Sequence, residues 1–114
     1  MSTVDAELVQ RAIGRIDRDR LVRLVMGLVD IPSPTGFEGD MARAYHEVLR
    51  GSGFDATLQP IGDARYNAVG RLQGHGSGKS LMFNGHLDTS FGPEQAHRGI
   101  GYQCKGTLVD DEWI

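Results

Sequence analysis

The clearest indication of the fold is the segment Leu81-Met82-Phe83-Asn84-Gly85-His86-Leu87-Asp88-Thr89. Its apolar start, Leu81-Met82-Phe83, is typical of a strand buried on both faces of an α/β sheet. Where the chain stays extended beyond this run, residues two apart project to the same side, so His86 and Asp88 can face one site. His86 then lies at the carboxyl end of a strand, where open α/β sheets commonly place their sites.

A histidine and a carboxylate at this spacing are compatible with a metal site. A histidine that binds zinc through one ring nitrogen usually donates its other N–H to a second group, and a nearby carboxylate orients the ring. A zinc site needs three or four ligands, and this pattern supplies one or two. The spacing alone therefore leaves an alternative to the metal site open for each residue. His86 can be a hydrogen-bonded residue at a strand end, and Asp88 can be a solvated loop carboxylate.

Length and composition limit the classes of protein that this chain can belong to. The 114 residues, with a net charge of -3, suit one domain and carry no basic cluster that would indicate a nucleic-acid partner. No apolar run approaches the roughly 20 residues that span a bilayer, and the first residues lack the pattern of a secretory signal. We therefore expect a cytoplasmic protein without a membrane partner. Cys104 is the only cysteine, so it cannot form an internal disulfide and is expected to be a packing residue.

The first half of the chain predicts helices. A short helix is expected from about Asp5 to Ile16, and a firmer one follows with apolar residues at helical spacing, Leu21, Leu24, Val25 and Leu28. Ile31-Pro32-Ser33-Pro34-Thr35-Gly36 ends that helix, because proline cannot donate to a helix and restrains the residue before it. Thr35-Gly36-Phe37-Glu38 has the form of a capping box, which predicts the start of a further helix that Gly51 and Gly53 stop.

The second half predicts strands. Phe54, Ala56 and Leu58 alternate with polar residues as in a half-buried strand. Asn67 to Leu72 and Ser80 to Asn84 predict two more strands, which the glycine-rich loop between them would join as a hairpin. A strand and turn are expected from Leu108 to Ile114. The predicted fold is α/β, with two or three helices followed by a mixed sheet.

The end of the glycine-rich loop, Gly78-Lys79-Ser80, is similar to the end of a phosphate-binding P-loop. A P-loop needs a glycine five positions before Gly78, where this chain has Gln73, and it must open a helix, whereas a strand is predicted here. Nucleotide binding is therefore not expected. His75 and His97 are best explained as solvated loop residues, and His46 as a partly exposed residue on a helix face. Asp110-Asp111-Glu112 is best explained as a charged turn.

Several of these features occur in the same order in one known family. The matching segments are Leu28 to Gly36 after the helix, Glu38, Asn67-Ala68-Val69-Gly70, and Leu81 to Thr89. From about Leu21 onwards the chain resembles the N-terminal part of the zinc-dependent exopeptidase and amidohydrolase family that includes acetylornithine deacetylase, succinyl-diaminopimelate desuccinylase and carboxypeptidase G. The apolar strand that leads into Gly-His-x-Asp-Thr is the most specific part of the match.

The resemblance implies metal-dependent hydrolysis of an amide or peptide bond in an N-acyl amino acid or a small peptide. It implies that His86 binds one of two zinc ions, with cobalt or manganese as substitutes, and that Asp88 is the catalytic carboxylate that helps orient the imidazole. In such centres the paired ions activate a shared water, polarise the carbonyl and stabilise the oxyanion, while a glutamate acts as base. The resemblance also allows a homodimer of the complete protein, and it leaves the substrate-binding residues unknown.

The family's other metal ligands, its general base and its dimerisation domain have no match within residues 1–114. We therefore expect these residues to form a partial catalytic domain, without the dimerisation domain and the C-terminal half, that is inactive alone. Tight zinc binding and amide hydrolysis by the isolated chain would contradict this hypothesis. The alternative is a non-catalytic remnant or interaction module that keeps the first half of the fold and binds a partner through its sheet edge.

Overall fold

The computed structural model describes residues 5–90 and 105–111. Helices come first and strands follow within this part of the chain, in the order α1 Ala6–Ile13, α2 Arg18–Val29, α3 Gly39–Gly51, β1 Asp55–Gly62 and β2 Arg65–Arg71. The two strands pair in an antiparallel sheet. The described residues therefore form a small α/β arrangement, as the sequence predicts. None of their helices is long and apolar enough to cross a membrane.

The first two helices begin at aspartate caps. The Asp5 carboxylate accepts the N–H of Glu7 at 3.0 Å, and the Asp17 carboxylate accepts the N–H of Arg20 at 2.9 Å. Such bonds satisfy amides that have no partner within the helix. α1 ends before the predicted Ile16, because the chain must turn at Gly14 before Asp17 can cap the next helix. The second predicted helix is confirmed, and it ends shortly before residues 31–36, the proline-rich loop.

The strands predicted from Phe54 and from Asn67 are confirmed, but the predicted hairpin is wrong. Asn67 pairs with Gln59, and the register runs from Asp55 opposite Arg71 to the turn. The later strand thus pairs with the strand before it rather than with residues 80–84. A two-residue connection, in which Ala64 has a φ of 55°, joins the strands more directly than the long glycine-rich loop would.

The expected buried strand at residues 80–84 is also wrong. These residues form no strand. Leu81, Met82 and Phe83 are 78%, 81% and 90% exposed. No strand within the described residues pairs with this run, so nothing covers its two faces there. The described sheet is accordingly two-stranded and antiparallel, rather than the expected mixed sheet.

The packing that positions the site lies between α3 and the hairpin. α3 contacts both strands, and the apolar residues buried in the described part of the chain are Met41 and Ala42. Gly39 lies directly against the backbone of the hairpin turn, where an added Cβ would collide with the Ala64 carbonyl oxygen. The start of α3 is therefore fixed against the turn between β1 and β2.

The predicted capping box at the start of α3 does not form. Glu38 is the N-cap residue, and no side chain caps the helix. The Thr35 hydroxyl donates to Asp88 instead, while Glu38 accepts the N–H of Gly36 and pairs with Arg65. The bonds of Thr35 to the Asp88 carboxylate and of Arg65 to the Glu38 carboxylate are charge-assisted, and they take the two side chains that a capping box would use.

Residues 105–111 return to the second helix. The N–H of Gly106 donates to the Asp30 carboxylate at 2.6 Å, and Asp111 lies 3.7 Å from Arg18. Asp110 and Asp111 both have positive φ, at 51° and 62°, which agrees with the predicted charged turn. Residues 108–111 form no named strand. The remainder of the predicted strand, including Glu112, lies outside the described residues, as do His97 and Cys104.

Candidate functional site

The segment that carries His86 is held by the proline-rich loop. Ser33 is fully buried, and its hydroxyl donates to the Leu87 carbonyl at 2.8 Å. The Thr89 N–H donates to the Ser33 carbonyl at 2.7 Å, and Pro34 forms a parallel bridge with Thr89. The loop therefore fixes the segment at the residues on either side of Asp88.

His86 makes its contacts through one ring nitrogen. Nδ1 lies 3.0 Å from Asp88 Oδ1 and 2.9 Å from the Asp88 carbonyl oxygen. Ionised carboxylate and carbonyl oxygens only accept hydrogen bonds, so the ring proton is assigned to Nδ1, and Nε2 keeps its lone pair. The His86 side chain is 84% exposed, and its Nε2 has no hydrogen-bond partner among the described residues. This nitrogen can accept a cation.

The second oxygen of Asp88 is also occupied. Thr35 Oγ1 donates to Asp88 Oδ2 at 2.6 Å, while Oδ1 faces the imidazole. The Thr35 hydroxyl, followed by the backbone N–H of Asp88 and by His86, lowers the pKa of the Asp88 carboxyl below its ordinary value. Asp88 thus remains an anion that can hold the Nδ1 proton of His86.

An ion pair between Arg65 and the buried carboxylate of Glu38 lies beside these residues. Arg65 Nε and Nη2 donate to Glu38 at 2.7 and 2.8 Å, and the Gly36 N–H donates to Glu38 Oε1 at 2.9 Å. Arg65 and the Gly36 amide lower the pKa of Glu38 to about 2. Glu38, together with a smaller contribution from Asp88, raises the pKa of Arg65. Both residues line a cleft of about 170 Å³ that also contains His86 and Asp88.

A larger depression of about 580 Å³ lies between the start of α3 and the hairpin turn, and Phe37, Asp40 and Asp63 are among its lining residues. Neither His86 nor Asp88 lines it. The smaller cleft is the better candidate site, because polar groups of opposite charge converge there beside an exposed imidazole.

Among the described residues, His86 is suited to be one ligand of a zinc site, but the other ligands that such a site needs are not beside it. The described residues contain no group of three or more histidine, cysteine, aspartate and glutamate side chains that could hold a metal ion. His75 is exposed in its loop, in agreement with the sequence prediction. His46 lies on α3, and its ring contacts Glu47 on the same helix and the Ala56 carbonyl of β1. Neither histidine joins His86.

Comparisons with known proteins leave the family unassigned. No family model matches the chain. No solved structure matches it either. The function must therefore be argued from the cleft and from the sequence.

Sequence reasoning missed the residues that hold the site together. Ser33 and Thr35 contact residues 54 and 53 positions away, and Arg65 contacts a residue 27 positions away. The only local signal was the capping-box pattern, which assigned Thr35 and Glu38 to a helix start. Their observed partners lie too far along the chain for a local pattern to identify them.

Proposed function

We propose that residues 1–114 contribute to the metal-dependent hydrolysis of an amide or peptide bond in an N-acyl amino acid or a small peptide. His86 binds zinc through Nε2, and Asp88 orients the ring as the catalytic carboxylate of the site. The observation that carries the proposal is the contact between His86 Nδ1 and Asp88 Oδ1 at 3.0 Å, which leaves an exposed Nε2 lone pair. Histidine–carboxylate pairs of this kind are typical of zinc ligands.

The residues of this chain would supply one ligand and its orientation. When bound, two zinc ions would activate a water and stabilise the oxyanion of the attacked carbonyl. Asp88 holds the His86 proton on Nδ1, and the ion pair between Glu38 and Arg65 fixes the neighbouring wall of the cleft. Further ligands are required, since catalytic zinc sites use three protein ligands and an open position.

A zinc titration of the protein tests the ligand assignment. The ring nitrogens of all four histidines are followed by long-range ¹H–¹⁵N NMR at pH 8. We expect His86 Nε2 to shift first, and we expect His86→Ala to weaken zinc binding. His75→Ala is the matched control, because His75 is exposed in a loop and should not affect binding. Zinc binding that is unchanged in His86→Ala would contradict the proposal.

The reaction itself needs a separate test. Sequencing the coding DNA beyond the Ile114 codon would support the hydrolase if it finds an in-frame glycine-rich motif with an aspartate and, further on, a glutamate pair. Hydrolysis of N-acetyl amino acids and dipeptides by that product should then require zinc and His86. A reading frame without these residues would favour a non-catalytic role.

The non-catalytic role has one observation in its favour, which is the exposed apolar run at residues 81–83. Exposed apolar patches often mark interaction surfaces. Under this alternative, Phe83→Ser would abolish association that sedimentation velocity detects for the parent protein. Phe37→Ser is the control, because Phe37 is also exposed, at 76%, but lies between the proline-rich loop and α3. A monomeric parent would count against association through this surface.

A further inference from the structure

The hydroxyl of Thr35 occupies an unusual position for a residue before a helix. It donates to Asp88 Oδ2 at 2.6 Å and takes no part in capping α3. Capping of α3 therefore does not explain why residue 35 carries a hydroxyl. The contact joins the proline-rich loop to the carboxylate that holds His86.

Three groups form a continuous chain of hydrogen bonds. Thr35 Oγ1 donates to one Asp88 oxygen, and His86 Nδ1 donates to the other at 3.0 Å. A carboxylate that accepts a bond on each oxygen cannot rotate about its last torsion without losing one of them. The threonine hydroxyl therefore fixes the orientation in which the other oxygen meets the imidazole.

Thr35 is itself held in place by its neighbours. Gly36 has a φ of 97°, which favours glycine, and its N–H is bound by Glu38 at 2.9 Å. Glu38 is in turn fixed by Arg65. On the other side of Thr35, the buried Ser33 binds Leu87 and Thr89. The loop is thus anchored on both sides of the threonine.

We propose that Thr35 is a positioning residue whose hydroxyl, acting through Asp88, keeps the ring proton of His86 on Nδ1 and so keeps Nε2 free for a metal ion. The role of the tautomer in metal binding rests on the proposed function. The effect of Thr35 on the tautomer does not, because it depends only on contacts within the chain.

The test compares Thr35→Val, which removes the hydroxyl at nearly constant shape, with Thr35→Ser, which keeps it. Thr57→Val is the matched control, because Thr57 is an exposed residue of β1 outside the cleft. Long-range ¹H–¹⁵N NMR at pH 8 measures the tautomer of His86 in each variant, and the amide shifts of α3 report whether the fold is kept. Zinc titrations give the dissociation constants.

We expect Thr35→Val to increase the population of His86 that carries its proton on Nε2, and to weaken zinc binding about 10-fold or more, as changes behind a ligand commonly do. Thr35→Ser and Thr57→Val should match the parent. The inference is overturned if Thr35→Val keeps the parent tautomer, or if Thr35→Ser shifts it as much as valine does. If valine shifts the tautomer while His86→Ala leaves zinc binding unchanged, the positioning role stands and the proposed function fails.

Discussion

Glu38 and Arg65 form a two-point ion pair, with Nε to Oε2 at 2.7 Å and Nη2 to Oε1 at 2.8 Å. The pair connects the residue before α3 to the first residue of β2. The Glu38 side chain is only 8% exposed, whereas that of Arg65 is 40% exposed. The carboxylate is therefore largely removed from water and depends on its partners for compensation.

Removing the charge of Glu38 should destabilise the protein. Glu38→Gln weakens bonds to a guanidinium and to the Gly36 amide, and we expect the free energy of unfolding to fall by about 1.5 to 3 kcal/mol. Urea unfolding at pH 7 measures the change. Glu47→Gln is the control, because Glu47 pairs with Arg50 on the exposed surface of α3, and this substitution should lower the free energy of unfolding much less than Glu38→Gln does. Equal losses in the two variants would show that burial of the Glu38 carboxylate has no effect.

The same pair predicts how stability depends on pH. The pKa of Glu38 is lowered from 4.5 to about 2, so the folded state binds fewer protons than the unfolded state between these values. The stabilisation is complete above about pH 4.5 and is lost as the pH falls towards 2. Urea unfolding at a series of pH values should show this loss. Glu38→Gln should flatten the curve in that window, and a curve as steep as that of the parent would contradict the assignment.

Three glycines should respond differently to alanine. Gly39→Ala forces a Cβ against the backbone oxygen of Ala64 and should lower the free energy of unfolding by about 1 to 3 kcal/mol. Gly70→Ala meets the end of the flexible Leu49 side chain at 2.9 Å and should cost less. Gly27→Ala, in α2, meets nothing within 4 Å and should stabilise by about 0.5 to 1 kcal/mol. Thermal unfolding ranks the variants, and a reversed order of Gly39 and Gly70 would contradict the packing of α3 on the turn.

Two apolar side chains should differ sharply in their contribution to stability. Met41 lies on α3 and is 8% exposed, so Met41→Ala should lower the free energy of unfolding by about 2 to 5 kcal/mol. Phe83 is 90% exposed, so Phe83→Ala should lower the free energy of unfolding by less than about 0.5 kcal/mol. Urea unfolding compares the two. A large loss in Phe83→Ala would mean that the apolar run is covered in solution.

Asp88 should matter more for metal affinity than for stability. Asp88→Ala removes the carboxylate that orients the His86 ring and leaves only the backbone carbonyl to accept the Nδ1 proton. We expect zinc binding to weaken about 10- to 100-fold. Isothermal titration calorimetry with zinc measures the change. Asp55→Ala, on the exposed start of β1, serves as the control. If both variants bind zinc as the parent does, Asp88 has no role in holding the ligand.

The sequence predicts local structure well here and long-range pairing poorly. Helical spacing and the proline-rich loop locate α2, and alternation locates β1, because these signals depend on near neighbours. The apolar run at residues 81–83 predicts a buried strand, yet burial requires a partner that no local pattern specifies. Thr35 and Glu38 fit a capping box, but Asp88 and Arg65 compete successfully for their side chains.

The candidate site is likewise predicted only in part. The spacing of His86 and Asp88 predicts that they share a side, and the structure brings Nδ1 and Oδ1 within 3.0 Å. The expected roles of His86 as a zinc ligand and of Asp88 as a catalytic carboxylate remain predictions. The supporting contacts from Ser33, Thr35 and Arg65 depend on tertiary structure, which the spacing does not contain.

The bonds between Ser33 and the segment after His86 have a kinetic consequence. They close a loop of more than fifty residues, whereas β1 and β2 are joined by a tight turn. Because long loops are slower and more costly to close, the hairpin should form before the cleft, and the cleft should open while α3 stays folded. In hydrogen exchange, the Thr89 amide should then lose protection before the α3 amides do. A cation that binds only the closed form would then bind with its intrinsic affinity multiplied by the fraction of molecules whose cleft is closed.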